Sequence, residues 1–76
     1  MDEVNLLMSV PGKDYKIARL RTKDKDQERF LANLGFVEGS LVSVVSESMG
    51  NLIVKVKGSR VALGRDLAMR INVIDQ

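Results

Sequence analysis

Asp24, Asp26 and Glu28 form the tightest group of carboxylates in this 76-residue chain, and carboxylates at short spacing are the raw material of acid–base and glycoside chemistry. Their position argues for a different use. Asp24 stands three residues before Gln27, where an N-cap carboxylate and an N3 amide satisfy each other's backbone donors. Asp26 and Glu28 then fall in the first turn, where the helix dipole favours acids. Helix capping accounts for all three. Histidine and cysteine are both absent, so the sequence can assemble no Cys–His nucleophile pair, no imidazole base and no thiolate metal site. Met1, Met8, Met49 and Met69 are too far apart in sequence for a local thioether cluster. Neither glycine-rich phosphate motif, G-x-x-x-x-G-K-[ST] or G-x-G-x-x-G, occurs. The expectation is a binding or scaffolding module: not an enzyme, with no catalytic residues, no cofactor and no tight metal site of its own.

A composition of 45% apolar and 29% charged residues is that of an ordinary folded domain. The length allows one domain, expected over residues 1–76, with a stability of only about 3–5 kcal/mol. No apolar run approaches the roughly 20 residues that cross a bilayer. The acidic start MDEVNLL is unlike the basic start of a signal peptide. Both point to a cytoplasmic protein without direct membrane insertion. The net charge of +2 is spread among ten acids, which permits a nucleic-acid partner without indicating one. The densest basic stretch, Arg19, Arg21, Lys23 and Lys25, is interrupted by acids and reads as a solvated strand end and helix start. A base-stacking platform lacks members: of the aromatics Tyr15, Phe30 and Phe36, Phe30 is assigned to a helix core and Tyr15 to a barrel end.

The elements that would position these residues follow from period and punctuation. VNLLMSVPG is a short apolar piece stopped by Pro11-Gly12. DYKIARLR alternates loosely and predicts the first strand. A helix is expected over about Asp24 to Leu34, with Phe30, Leu31 and Leu34 on one face and Gly35 ending it in the left-handed conformation. Gly39 closes the turn FVEG, and LVSVV, apolar on both faces, predicts a strand covered on both sides. A reversal at Gly50-Asn51 leads into LIVKVK, and Gly58-Ser59 turns it into RVAL, a hairpin. GRDLAMRI has room for one helical turn, and INVI is the last strand. The prediction is a mostly β fold: a small five-stranded closed barrel, one α-helix between the first two strands and a short helical turn before the last. Its predicted core is Ile17, Leu20, Leu31, Leu34, Val42, Val44, Val54, Val56, Ala62, Leu63, Ala68 and Ile71.

Taken in order, P-G-x-x-x-x-I-x-x-L at residues 11–20, R-F-L-A-N-L-G at 29–35, Gly39 before V-S-V-V, V-K-V-K-G at 54–58 and V-A-L-G-R-D-L-A-M-R-I at 61–71 resemble the FeoA family. These are small partners of the bacterial ferrous iron transporter FeoB. The resemblance covers nearly the whole chain. It implies an SH3-like barrel, the fold shared with the C-terminal domain of DtxR-type repressors, and it carries the family term transition metal ion binding. The implied function is a cytoplasmic accessory protein of ferrous iron uptake that docks on a FeoB-like membrane GTPase. The alternative is a nucleic-acid-binding or repressor-derived interaction module. Glu38 and the proline-free loop ESMGN stand where family members usually carry prolines, and Gly64 where they usually carry arginine, leaving Arg65 as the nearest basic residue. Partner contacts are expected at apolar groups the core does not obviously need, Phe36, Val37 and Met49, together with Arg65.

Overall fold

The computed structural model describes residues 2–76. Two tight turns organise most of the sheet. Met49 and Gly50 have φ of 52° and 83°, and Lys57 and Gly58 have φ of 50° and 79°. Two consecutive left-handed residues make a type I′ turn, whose twist matches that of the antiparallel strands it joins. The turns link β3 (Leu41–Ser48), β4 (Asn51–Val56) and β5 (Ser59–Gly64) into a meander. Each reversal falls one residue earlier than the glycine-first reading placed it. Before the meander come β1 (Glu3–Asn5), a 3₁₀ turn (Leu6–Met8), β2 (Tyr15–Leu20) and helix α1 (Lys25–Asn33). After it come helix α2 (Arg65–Ala68) and β6 (Ile71–Asp75). All pairings are antiparallel, in the order β1-β6-β2-β3-β4-β5.

This is a mostly β domain with six strands rather than five, in an open sheet rather than a closed barrel. EVN is too short to show a period in sequence. It becomes a strand because β6 offers it a ladder, Glu3↔Ile74, Val4↔Val73 and Asn5↔Asn72. The chain then turns at once: the Asn5 side chain accepts the Leu7 N–H at 2.9 Å, and Leu6 drops into the core. Among the described residues β1 and β5 do not pair, so both remain edges. Counted over six strands, α1 lies between the second and third.

Asp24 caps α1, its Oδ1 accepting the N–H groups of Asp26 at 2.9 Å and Gln27 at 3.2 Å. The reciprocal half of the expected capping pair runs through Thr22, whose hydroxyl donates to Gln27 Oε1 and accepts the Asp24 N–H. Arg19, Arg21, Lys23 and Lys25 are all exposed.

Ile17, Leu31, Val42, Val44, Val54, Val56, Leu63, Ala68 and Ile71 are buried as expected, and Leu20 and Leu34 pack at the rim. Three readings need correction. Ala62 is exposed, because it pairs with Ile53 and alternation sends Val61 and Leu63 inward instead. Phe30 is 53% exposed: Gln27, Leu31 and Leu34 form the face turned to the sheet, and Phe30 stands one step off it. The strand expected to be covered on both sides is not. Leu41 is 53% and Val45 40% exposed; Val45 is the extra residue of a bulge, since Val44 faces Val54 and Ser46 faces Ile53.

Tyr15 is buried, and its hydroxyl accepts the Val10 N–H at 2.9 Å, tying the first turn to the sheet. Lys13 Nζ lies 2.6 Å from Asp75 Oδ2, and this hydrogen bond holds the lysine above its ordinary pKa. On the lysine's side, a raised pKa keeps the tie complete at neutral pH and loses it as pH rises through the raised value.

Leu31→Ala should cost about 2–5 kcal/mol, enough to unfold most of so small a domain. Ala62→Ser, on the outer face, should stay within about 0.5 kcal/mol of the parent. Paired denaturant melts check both, and equal midpoints for the two variants would contradict the burial assigned here.

Candidate functional site

The end of α1 decides where Phe36 and Val37 go. Gly35 has a φ of 104°, which glycine adopts freely and side chains rarely do. A Cβ there would lie 3.3 Å from Val56 Cγ2 and from the Lys57 side chain. The positive φ folds the chain back, so that the Gly35 N–H donates to the Ala32 carbonyl at 2.9 Å and the Phe36 N–H to the Leu31 carbonyl at 2.9 Å. These are the paired bonds of a Schellman motif, in which the residue after the left-handed one packs against the helix residue whose carbonyl it caps. Phe36 accordingly lies with Leu31 in the core, both at 0% exposure. The expectation of an exposed Phe36 is corrected: the turn is at the surface, but its aromatic ring is the largest fully buried side chain among the described residues. Val37 is half-buried and helps line a cleft of about 340 Å³ with Leu20, Glu28, Ala32 and Glu38.

Met49 and Arg65 gather at the other end of β4. Met49 is the first turn residue of the β3–β4 hairpin and is 98% exposed. Asn51 pairs with Gly64, the residue before Arg65, and Arg65 Nη1 lies 3.4 Å from Glu47 Oε2 on β3. Both partners of that ion pair are more than half exposed, so it orients the side chains more than it stabilises the fold. Gly35, by contrast, abuts Val56 and Lys57, at the opposite end of β4, roughly 17 Å away at strand rise. The four residues singled out from sequence therefore form two groups, and only Met49 and Arg65 share a surface.

Met49 shares a second feature with Lys57, whose φ is 50°. The Met49 φ of 52° is uncommon for a residue other than glycine, asparagine or aspartate. A methionine held in this conformation with no packing to compensate costs the fold of order 1 kcal/mol. Sequence reasoning also missed Met8, Val10, Phe30 and Leu41 as exposed apolar groups. Of these, Phe30 had a readable signal, its offset from the Gln27–Leu31–Leu34 face. Among the described residues no three of His, Cys, Asp and Glu come together as metal ligands would, and no helix is long and apolar enough to cross a membrane.

A small antiparallel sheet with one helix packed on it and, among the described residues, no grouping of His, Cys, Asp and Glu that could hold a metal defines a mostly β domain of the SH3-like kind. The FeoA domain model matches residues 4–75, and the chain belongs to the FeoA family, which is associated with ferrous iron transport. A Methanocaldococcus jannaschii protein with the provisional name Fe(2+) transport protein A is 42% identical over 45 residues, 59% of this chain and 55% of that one. The chain thus spans about half the length of that relative. A crystal structure of an iron uptake regulatory protein, FeoA, superposes with a TM-score of 0.85 at 27% identity over the whole of both chains. The zinc complex of Stenotrophomonas maltophilia FeoA, described as a prokaryotic SH3 domain protein and put forward as a ferrous iron transport activating factor, superposes at 0.80 with 25% identity. That match covers 92% of this chain and 88% of the other.

Gly35→Val and Phe36→Ser should both lose most of the folded state, the second by about 3–5 kcal/mol. Met49→Asn should do the reverse: asparagine suits the first position of a type I′ turn, and relief of about 1 kcal/mol raises the melting temperature by roughly 4–8 °C for a domain of this size. A Met49→Asn melt at or below the parent would remove the argument that Met49 is held at a cost to the fold.

Proposed function

We propose that the chain is a small cytoplasmic accessory protein of ferrous iron uptake, which docks on the cytoplasmic GTP-binding part of a FeoB-like membrane transporter and modulates it. The observation that carries this reading is Met49. A fully exposed thioether stands at a hairpin tip, in a backbone conformation that favours another residue. Methionine is also the side chain best able to adapt to an apolar surface on a partner. Arg65 and Glu47 beside it supply a polar rim of the kind that surrounds a small apolar contact. Family membership supports a partner in ferrous iron transport, and the role put forward for the Stenotrophomonas protein runs in the same direction.

Val37 belongs to the proposal as a second contact at the far end of β4. Phe36 contributes only by holding the junction. Iron enters this reading as the transporter's cargo, with the chain itself acting by docking. Scattered surface carboxylates and thioethers do not provide the preorganised ligand set that tight metal binding needs.

Two measurements test the proposal. Met49→Asn, and Met49→Asn with Arg65→Ser, should remain folded yet lose co-purification with the cytoplasmic domain of the FeoB-like transporter from the same organism. Retention equal to that of the parent would sink the hairpin tip as the contact. Calorimetric titration with ferrous iron should show no micromolar binding by the chain alone, and saturable stoichiometric binding at that level would replace docking with a carrier function.

A further inference from the structure

Strand β5 ends the sheet with six residues paired to β4 in unbroken register, from Asn51↔Gly64 to Val56↔Ser59. In a two-residue hairpin the closing pair exchanges both backbone hydrogen bonds, and bonding alternates from there. Ser59, Val61 and Leu63 therefore turn their backbone groups toward β4. Arg60 and Ala62 turn theirs toward the open edge, where no other element or side chain receives them among the described residues. Both residues are exposed. Natural edges are blunted by shortness, proline or a bulge. The opposite edge, β1, is three residues long; β5 has twice that length, no proline and no bulge.

The outer face of this edge pairs two cations, of which Lys55 shares a cleft with Asp14 and Ser43 on the β3 side and Arg60 does not. The register sets Lys55 directly opposite Arg60, and like charges in that position destabilise a sheet. The neighbour of Lys55 on its other side is the neutral Ser43. Neither cation takes part in an ion pair among the described residues. A single edge cation is the ordinary guard against strand pairing, but two cations side by side select for an anion. Beside them Ala62 leaves the half-buried Ile53 only partly covered on the same face.

We infer that β5 is a docking edge for an extended acidic segment of a partner protein, which adds to the sheet as a further antiparallel strand with a carboxylate facing Arg60 and Lys55. The two open N–H and two open C=O groups give the segment its backbone bonds, and the cations choose its charge. Along the partner the pattern alternates: an acid opposite Arg60, an inward apolar side chain opposite the half-buried Val61, and a long outward side chain opposite Ala62 whose methylene stem covers Ile53. The inference rests on the proposed docking function only in supplying a partner; the chemistry of the edge stands apart from it.

Amide hydrogen exchange tests it on the whole chain, with a blocked octapeptide alternating valine and glutamate as the probe. The glutamate peptide should slow exchange at Arg60 and Ala62 by roughly tenfold or more while leaving Val61, already bonded to β4, little changed. The valine–lysine counterpart and vesicles of mixed phosphatidylcholine and phosphatidylserine should not do so. Arg60→Glu should abolish the preference, and Arg60→Glu with Lys55→Glu should transfer it to the lysine peptide. Ala62→Pro removes one edge donor in a position that sheet edges tolerate, and it should abolish protection while melting close to the parent. If Ala62→Pro unfolds, the charge reversal at Arg60 carries the test alone. Equal protection by both peptides, protection at other amides, or vesicle binding with the glutamate peptide inert would overturn the inference. Binding of the transporter's cytoplasmic domain without protection at Arg60 and Ala62 would overturn the docking edge and leave the proposed function standing. Protection by the peptide with no binding of that domain would do the opposite.

Discussion

The Schellman junction at the end of α1 is the constraint on which the rest of the domain depends. One positive φ at Gly35 lets the Phe36 N–H reach the Leu31 carbonyl, and that bond delivers the largest fully buried side chain into the space between helix and sheet. The helix has only nine residues and a single fully buried one, Leu31, too little apolar surface to hold it on the sheet by itself. Phe36 supplies the missing area from outside the helix. The glycine also lets the chain pass close to Val56 and Lys57, and the turn that follows is fastened to β2, with the Gly39 N–H bonded to the Ile17 carbonyl and the Ile17 N–H to the Ser40 carbonyl. Helix position, entry into β3 and closure of the core are thus set within six residues.

The same junction marks where the sequence is legible and where it is not. Periodicity and caps locate α1 to within a residue at each end, and alternation identifies the long strands, because both signals are local. Phe30 and Phe36 exchange the roles that local pattern suggests: Phe30 lies within a helical pattern and looks like core, while Phe36 follows a stop and looks like loop. The packing of a Schellman motif reverses this, and L-x-x-x-G-F carries the information for a reader who applies the motif's contact as well as its glycine. Ala62 and Leu63 are adjacent on one strand and cannot both face inward, so alternation alone could have removed Ala62 from the core. The sixth strand had no such signal. Glu3–Asn5 is a strand because β6 is beside it, a fact about tertiary structure.

Of the surface, sequence could name residues but not group them. Met49, Arg65 and Val37 are all placed by turns, and turns fix direction only once their dihedrals are known. A glycine-first reading of ESMGN puts Met49 before the reversal; the structure makes it half of the reversal, with a left-handed backbone. That single dihedral turns an ordinary exposed methionine into one held at a cost to the fold. The length of β4 then separates it from Val37, a division that appears only after the hairpin register is known.

An open sheet rather than a closed barrel changes what such a domain can do. Closure would consume the backbone groups of both end strands, leaving side chains alone to recognise partners. Here β1 is short and turns away into its 3₁₀ turn, while β5 runs its full length beside a hairpin whose tip is Met49. The chain carries no histidine or cysteine, and among the described residues its carboxylates do not gather as metal ligands would. What it has is shape: a protruding hairpin tip at one corner and an unpaired edge along one side, both held rigid by two-residue turns that leave the strands no slack in register. In the proposed docking such turns would matter, since a preorganised surface loses less entropy on association than a loop that must first be ordered.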